Sequence, residues 1–422
     1  MAGLGRGTAW MTASQAGRLL LQSATFVLVA RALGASGFGA FAAALALVSI
    51  LSPFGALGAG NLLVLHLARE PESFRRHWGA VLVTVPLAGI PLAAIALAAG
   101  GLILPVPFLL LLLVALAELF FARLAELSAQ AFQGLERSRE NALLGIVPAV
   151  CRLVAAVLFV VLAANRTPVV WAGGYLAGTV VAAVVCLAVV TIVLGRPRPD
   201  RAAIGDCVRR GSWFALAQSS ANVYTDIDKT LLARLGTLSG AGVYAVAYRA
   251  TALAFTPIAG LLAASYARFF KRGQDGIRSS RRFAVELLPA AALYGVVAGL
   301  GLVALAPLLP HILGGSYADA QSALYWLAPL PLIQAVFYLG GDALTGAGFQ
   351  KTRTGIQVAA AGLNVVLCFW LIPGSGFRGA AWATLGSLGF LAVAMWSAVV
   401  LLSRRKEAAR GDSRPRLAGL QA

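Results

Sequence analysis

Charge is scarce in this chain, and acid is scarcer than base. Asp, Glu, Lys and Arg make up 12% of 422 residues, with 16 acids against 34 Lys and Arg. A soluble protein of this length could not cover its surface with so few charges. Lysine is nearly absent, and none of Lys229, Lys271, Lys351 and Lys406 sits in the GxxxxGK[ST] spacing of a phosphate loop, which argues against ATP hydrolysis. The three histidines, His66, His77 and His311, stand far apart in sequence with no metal-ligand spacing. Cys151, Cys186, Cys207 and Cys368 form neither a CxxC pair nor a disulfide framework and read as core or loop residues. No metal and no cofactor is expected. No loop is long enough to be a basic folded domain, which speaks against a nucleic-acid partner.

What is abundant is apolar sequence. Hydrophobic residues make up 59% of the chain, and the mean hydropathy is +0.83. Runs long enough to cross a hydrocarbon core of about 30 Å as helices recur throughout. Twelve spans are expected: 9–30, 38–66, 78–100, 107–128, 141–163, 168–194, 212–233, 242–267, 283–306, 318–346, 355–372 and 378–402. The runs are continuous and lack period-two alternation, so helices are expected and not a β-barrel. Arg18 interrupts the first run, which reads as a retained helix and not a cleavable signal.

Cations set the orientation. With a cytoplasmic N-terminus, 25 of the 34 Lys and Arg fall in inside segments and four outside (Arg31, Arg166, Arg234, Arg378), the other five lying within spans. Both termini are therefore expected inside. The net charge of +18 then has a topological origin, with inside loops facing anionic lipid headgroups as partners.

The chain also repeats itself. Ala30-Arg31 with Ser36-Gly37-Phe38-Gly39-Ala40-Phe41 recurs, 203 residues on, as Ala233-Arg234 with Ser239-Gly240-Ala241-Gly242-Val243-Tyr244. Each half holds six spans. Six is even, so the halves run parallel, related by an axis along the membrane normal. The expected division is a lobe at 1–195, a basic cytoplasmic linker at 196–211, a lobe at 212–402 and a basic, disordered tail at 403–422. The fold class is all-α integral membrane, with about 12 helices in two six-helix bundles.

Ionisable residues within spans are costly in lipid and usually face the protein interior or water. Ser14, Arg18, Gln22 and Thr25 form one stripe on the first helix, and Gln218, Asn222, Asp226 and Lys229 repeat its spacing on the seventh. The two stripes are expected to face each other across a central cavity. Asp226 and Asp228 form a DxD, but mid-helix their side chains point about 160° apart, a poor arrangement for a shared metal. Arg18 has no acid within a turn and is expected, like Arg249, to serve a cavity. Glu118, Arg123, Glu126 and Arg152 read equally well as structural pairs. Asp342, flanked by Gly340-Gly341 and Gly346, reads as a coupling-ion site or as a break in its helix.

The stretch Arg31–Phe41 resembles the "ARxLGxxxFGxF/Y" signature of polysaccharide-type transporters. Asp228-Lys229-Thr-Leu-Leu with Gly242-Val-Tyr-Ala-Val-Ala-Tyr-Arg249 resembles the "D-(K/R)-hhh…GxYaxAyR" stretch of the same proteins. These are the lipid-linked oligosaccharide (Wzx-like) flippases of the multidrug/oligosaccharidyl-lipid/polysaccharide exporter (MOP) superfamily. The resemblance implies a MATE-like fold in the bacterial inner membrane. It also implies movement of a polyprenyl-diphosphate-linked glycan to the outer leaflet by alternating access, with glycosyltransferases and a polymerase as pathway partners. On that reading Arg18, Lys229 and Arg249 supply cations to the diphosphate. Gln22, Gln218 and Asn222 bond sugar hydroxyls, and Asp226, Asp228 and Asp342 are ion-coupling candidates. A cation-coupled multidrug or metabolite exporter of the same superfamily is the alternative, kept open by the acids of the seventh helix. An enzyme is disfavoured, because polymerases and glycosyltransferases of lipid-linked glycans usually need a large external loop.

Overall fold

The computed structural model describes residues 2–411, which are almost entirely helical, with no strand among them. The chain opens with α1 (Ala2–Leu51), which breaks at Gly34 (φ 66, ψ 174) into two rods. That backbone region is open to glycine at little cost, so the expected loop between the first two spans is a single-residue kink. A 3-10 turn at Ser52–Ala56 begins beside Pro53 and leads into α2 (Ala59–Arg69). Then come α3 (Phe74–Ile103), α4 (Phe108–Leu116), a π-helical turn (Ala117–Phe121), α5 (Ala122–Gly134), α6 (Ser138–Leu162) and α7 (Pro168–Leu194). Thr167 caps α7 by accepting from the Val170 N–H at 3.3 Å, with Pro168 in its first turn.

The rest are α8 (Arg201–Leu235), α9 (Leu238–Gln274), α10 (Ile277–Leu305), α11 (Leu308–Leu313), α12 (Ala320–Leu327), α13 (Leu330–Gly346), α14 (Gln350–Ser375) and α15 (Phe377–Gly411). Two expectations about the connecting segments change. Most of the 196–211 linker is the first turns of α8, because Asp200 accepts from the Ala202 N–H at 3.0 Å and starts the helix. The expected tail begins as helix, since α15 continues to Gly411. Residues 412–422 and the side chains of Cys207 and Arg210 lie outside the described residues.

Among the described residues, nine helices are long and apolar enough to cross a membrane, ten with the bent pair Gly315–Leu327 and Leu330–Gly346. Both rods of α1 count there as one span, and α8 is too polar to qualify; with these two the expected twelve are reached. Leu102, Ile192 and Trp370 are 80%, 83% and 78% exposed, side chains that a soluble surface would not carry in such number but a lipid face accommodates. The chain is a multi-pass membrane protein.

Packing divides the chain into two compact units. One comprises Met1–Ala245, Leu309–Asp319 and Ile372–Phe377, the other Val246–Leu308, Ala320–Leu371 and Arg378–Ala422. In the first, Leu63, Leu67, Trp78, Phe132 and Val190 form a buried core under α2, α3, α5 and α7. The two copies of the repeat lie against each other inside this unit. A Cβ on Gly39 would fall 1.8 Å from the Leu238 carbonyl oxygen, and one on Gly242 would fall 1.9 Å from that of Ala35. Leu238 is Ala35 displaced by the repeat's own 203 residues, so this close approach is symmetric. Small residues are what bring helices together in lipid, where apolar surface alone gives no preference for a neighbouring helix. In the other unit, Gly273 and Gly346 make a comparable approach, a Cβ on Gly273 falling 1.9 Å from the Gly346 oxygen.

Candidate functional site

The stripe of the seventh span is an attachment seam. Pro53 has no N–H and so cannot bond the Ser49 carbonyl four residues before it. Asn222 Nδ2 donates to that carbonyl at 2.7 Å, joined by Ser52 Oγ at 3.1 Å. One turn before it Ser219 Oγ donates to the Ile50 carbonyl at 2.7 Å, and about two turns after it Thr230 Oγ1 donates to that of Ala43 at 3.2 Å. Asp226 accepts from Ser49 Oγ at 3.0 Å through one oxygen and from Lys229 Nζ at 2.5 Å through the other. Lys229 also donates to the Thr225 carbonyl at 2.9 Å. The stripe of α8 thus lies along the second rod of α1, not across open space from the first.

The first-helix stripe divides in the same way. Ser14 Oγ donates to the Ala142 carbonyl of α6 at 2.7 Å, and Thr25 Oγ1 returns to Leu21 of its own helix at 2.8 Å. Gln22 is half-buried. Arg18 is exposed and makes no hydrogen bond or ion pair among the described residues. Gln218 is also exposed, its Nε2 3.4 Å from Asn222 Oδ1.

The DxD splits as the helix geometry requires. Asp228 is fully buried, one oxygen accepting the Lys229 N–H at 2.8 Å and the other the Tyr244 hydroxyl at 2.5 Å. Asp226 turns toward α1 instead. Among the described residues no three His, Cys, Asp or Glu side chains gather where they could hold a metal. Asp228 and Tyr244 both belong to the second motif stretch, so the motif joins α8 to the first turns of α9.

In the second unit, Arg249 is half-buried on α9. Asp342 lies in a helix that runs unbroken through Gly340 and Gly341 and ends at Gly346, so there is no break at Asp342 and that reading is corrected. Its partner is Arg353 of α14, Nη1 to Oδ1 at 3.0 Å, and the same guanidinium donates to Thr345 Oγ1 at 2.8 Å. Gly341 makes room for it, because a Cβ there would sit 3.2 Å from Arg353 Nε.

Two groupings were not visible in the sequence. Glu118, on the π-helical turn, accepts from Arg152 Nη2 at 3.1 Å and from the Tyr175 hydroxyl, with Arg152 lying 4.6 Å over the Tyr175 ring. The pairing of Glu118 with Arg152 was foreseeable as one of several, but nothing in an apolar span marks Tyr175 as the third member. Arg123 pairs with Glu126 at 2.9 Å. The rings of His66 and His77 stack 4.2 Å apart, because α2 and α3 turn back on each other at residue 70.

Residues 4–271, well over half the chain, match the family of polysaccharide biosynthesis proteins. The chain belongs to that family. Its fold is also that of MOP-superfamily transporters. A multidrug-resistance MATE-family transporter in an inward-facing conformation superposes with a TM-score of 0.74 at 16% identity, covering 94% of this chain and 96% of the other. The lipid II flippase MurJ, in an inward closed conformation, gives 0.74 at 13% identity over 92% and 87%. A MOP-superfamily transporter from Pyrococcus furiosus, described as having a binding pocket of reversed polarity, gives 0.64 at 15% over 97% and 96%. No curated protein sequence matches the chain. At these identities the structural likenesses establish the fold alone.

Proposed function

We propose that the protein is a flippase carrying a polyprenyl-diphosphate-linked oligosaccharide from the inner to the outer leaflet for surface polysaccharide synthesis, by alternating access and without ATP hydrolysis. Arg18 carries the reading. An arginine in a membrane-spanning helix with no acid beside it is held at high cost unless it faces water and an anionic ligand. A diphosphate supplies that anion, and a guanidinium binds it with paired, charge-assisted hydrogen bonds. Lys229 joins it by exchanging Asp226 for phosphate, and Arg249 adds a third cation. Gln22 and Gln218 meet the sugar, while Asn222 is engaged by the Ser49 carbonyl. Of the three acids, Asp226 is the one we assign to ion coupling. Its side chain is 28% exposed against 7% for Asp342, and Asp228 is fully enclosed. The two six-span lobes, 1–195 and 212–402, are the moving parts, in an inner membrane with both termini cytoplasmic.

Deleting the gene should remove the surface glycan and leave its lipid-linked precursor on the inner leaflet. In proteoliposomes Arg18→Gln should slow flipping at least about tenfold, the worth of one charge-assisted contact. Normal surface glycan in the deletion strain would sink the proposal. The second reading, a cation-coupled exporter of drugs or metabolites, is favoured by the MATE likeness, equal in TM-score to that of MurJ. It predicts efflux of organic cations that collapses in Asp226→Asn, with the glycan untouched.

A further inference from the structure

The inside end of α9 meets the start of α10 around a recess of about 550 Å³, lined by Arg268, Lys271, Arg272, Asp275 and Phe283. Arg268, Lys271 and Arg272 are three and four residues apart, on one helical face, where like charges repel. The side chains of Arg268, Lys271 and Asp275 form no ion pair among the described residues. Arg272 is held in place, its guanidinium 5.8 Å over the ring of Phe283, and that ring packs edge-on against Phe269 at 4.9 Å. Cations at a helix C-terminus answer the half negative charge of the helix end. Three cations less one acid and that half charge still leave more than one positive charge unanswered. The α10 helix adds to it: it starts at Ile277 with no side-chain cap on its N-terminal N–H groups and no acid in its first turn.

We propose that this recess binds the phosphate headgroup of an anionic phospholipid of the inner leaflet. The cations grip the phosphate oxygens, Phe283 forms the apolar floor against which the glycerol lies, and Asp275 limits the affinity. The site lies at the membrane surface on the side where the cation bias places the loops, and basic recesses between helix ends there are suited to anionic lipids. The proposal is independent of what the protein transports. Absence of glycan flipping by the intact protein, with lipid binding present, would count against the flippase reading alone.

The test is a titration of the purified full-length chain in detergent with phosphatidylglycerol and, in parallel, with zwitterionic phosphatidylcholine, read by native mass spectrometry. Arg268→Gln with Lys271→Gln should weaken phosphatidylglycerol binding about tenfold and leave phosphatidylcholine unchanged. Asp275→Asn, which removes the repelling acid, should tighten it about threefold, and it decides the matter should the double variant fail to fold. Equal phosphatidylglycerol binding in all three proteins would overturn the proposal, as would a parallel loss of phosphatidylcholine. Displacement of the lipid by an equal concentration of inorganic phosphate would also overturn it, by showing a site for the free ion.

Discussion

Asp342 and Arg353 are 7% and 15% exposed at the side chain, enclosed enough that each depends on the other for charge compensation. Removing one member of such a pair leaves a charge in a low-dielectric setting and costs about 3 kcal/mol or more, whereas replacing both with apolar groups of similar size is often near neutral. Arg353→Met should therefore lower the melting temperature in detergent clearly, and Asp342→Leu with Arg353→Met should recover most of the loss. Equal melting of the wild type and Arg353→Met would show that the pair carries no stability. The sequence marks Asp342 as out of place in an apolar span, and that much was sound. Its partner lies on the next helix, and no periodicity within either helix announces the meeting. The same limit explains Tyr175 and the His66–His77 stack. In contrast, Arg123 with Glu126 and Asp226 with Lys229 were legible, because three residues along a helix is one turn and geometry alone brings them together.

Helix against helix, the close approach of Gly39 to Leu238 and of Gly242 to Ala35 sets how near the second rod of α1 and the start of α9 can lie. Each overlap is with a backbone oxygen, which no rotamer change can move aside. Gly39→Ala and Gly242→Ala should each force the pair apart and sharply cut the monodisperse fraction on fluorescence-detected size exclusion. The two losses should be similar, since the same symmetry relates the contacts. Gly174→Ala on α7 is the comparison: nothing lies within 4 Å of its Cβ position, and alanine is the better helix former by up to about 1 kcal/mol. That variant should be neutral or slightly improved. The duplication itself was plain in the sequence, as was its parallel sense, because both follow from counting along the chain. That the copies touch was not, since equal spacing says nothing of distance in space. The seventh-helix stripe was found for the same reason and read too simply. A polar stripe at helical spacing is equally what a seam requires, and only the carbonyl freed by Pro53 shows which of the two Asn222 serves.

For the molecule as a whole, the cation bias and the helical spans make one joint statement about the membrane, and it can be tested without knowing the substrate. A chain with both termini inside and twelve spans exposes Arg166 and His311 to the outside and Arg137 and Lys351 to the cytoplasm. All four positions lie at exposed helix ends or turns, so a cysteine at any of them should react with a maleimide that reaches it. In a background freed of Cys151, Cys186, Cys207 and Cys368, membrane-impermeant maleimide should label R166C and H311C in intact cells. R137C and K351C should react only after permeabilisation. The pairs are informative because each samples both halves, Arg137 and Arg166 in the first and His311 and Lys351 in the second. Labelling that agreed in the first half and reversed in the second would mean that an odd number of crossings separates the repeats. The source would be α8, which among the described residues is too polar to qualify by composition. It would then lie within the protein without crossing, the parallel duplication would become an inverted one, and the recess at Arg268 would face the outer leaflet. Agreement at all four positions keeps α8 as a crossing helix, the polar seam along α1 as what makes so polar a span tolerable in lipid, and the basic recess on the cytoplasmic side.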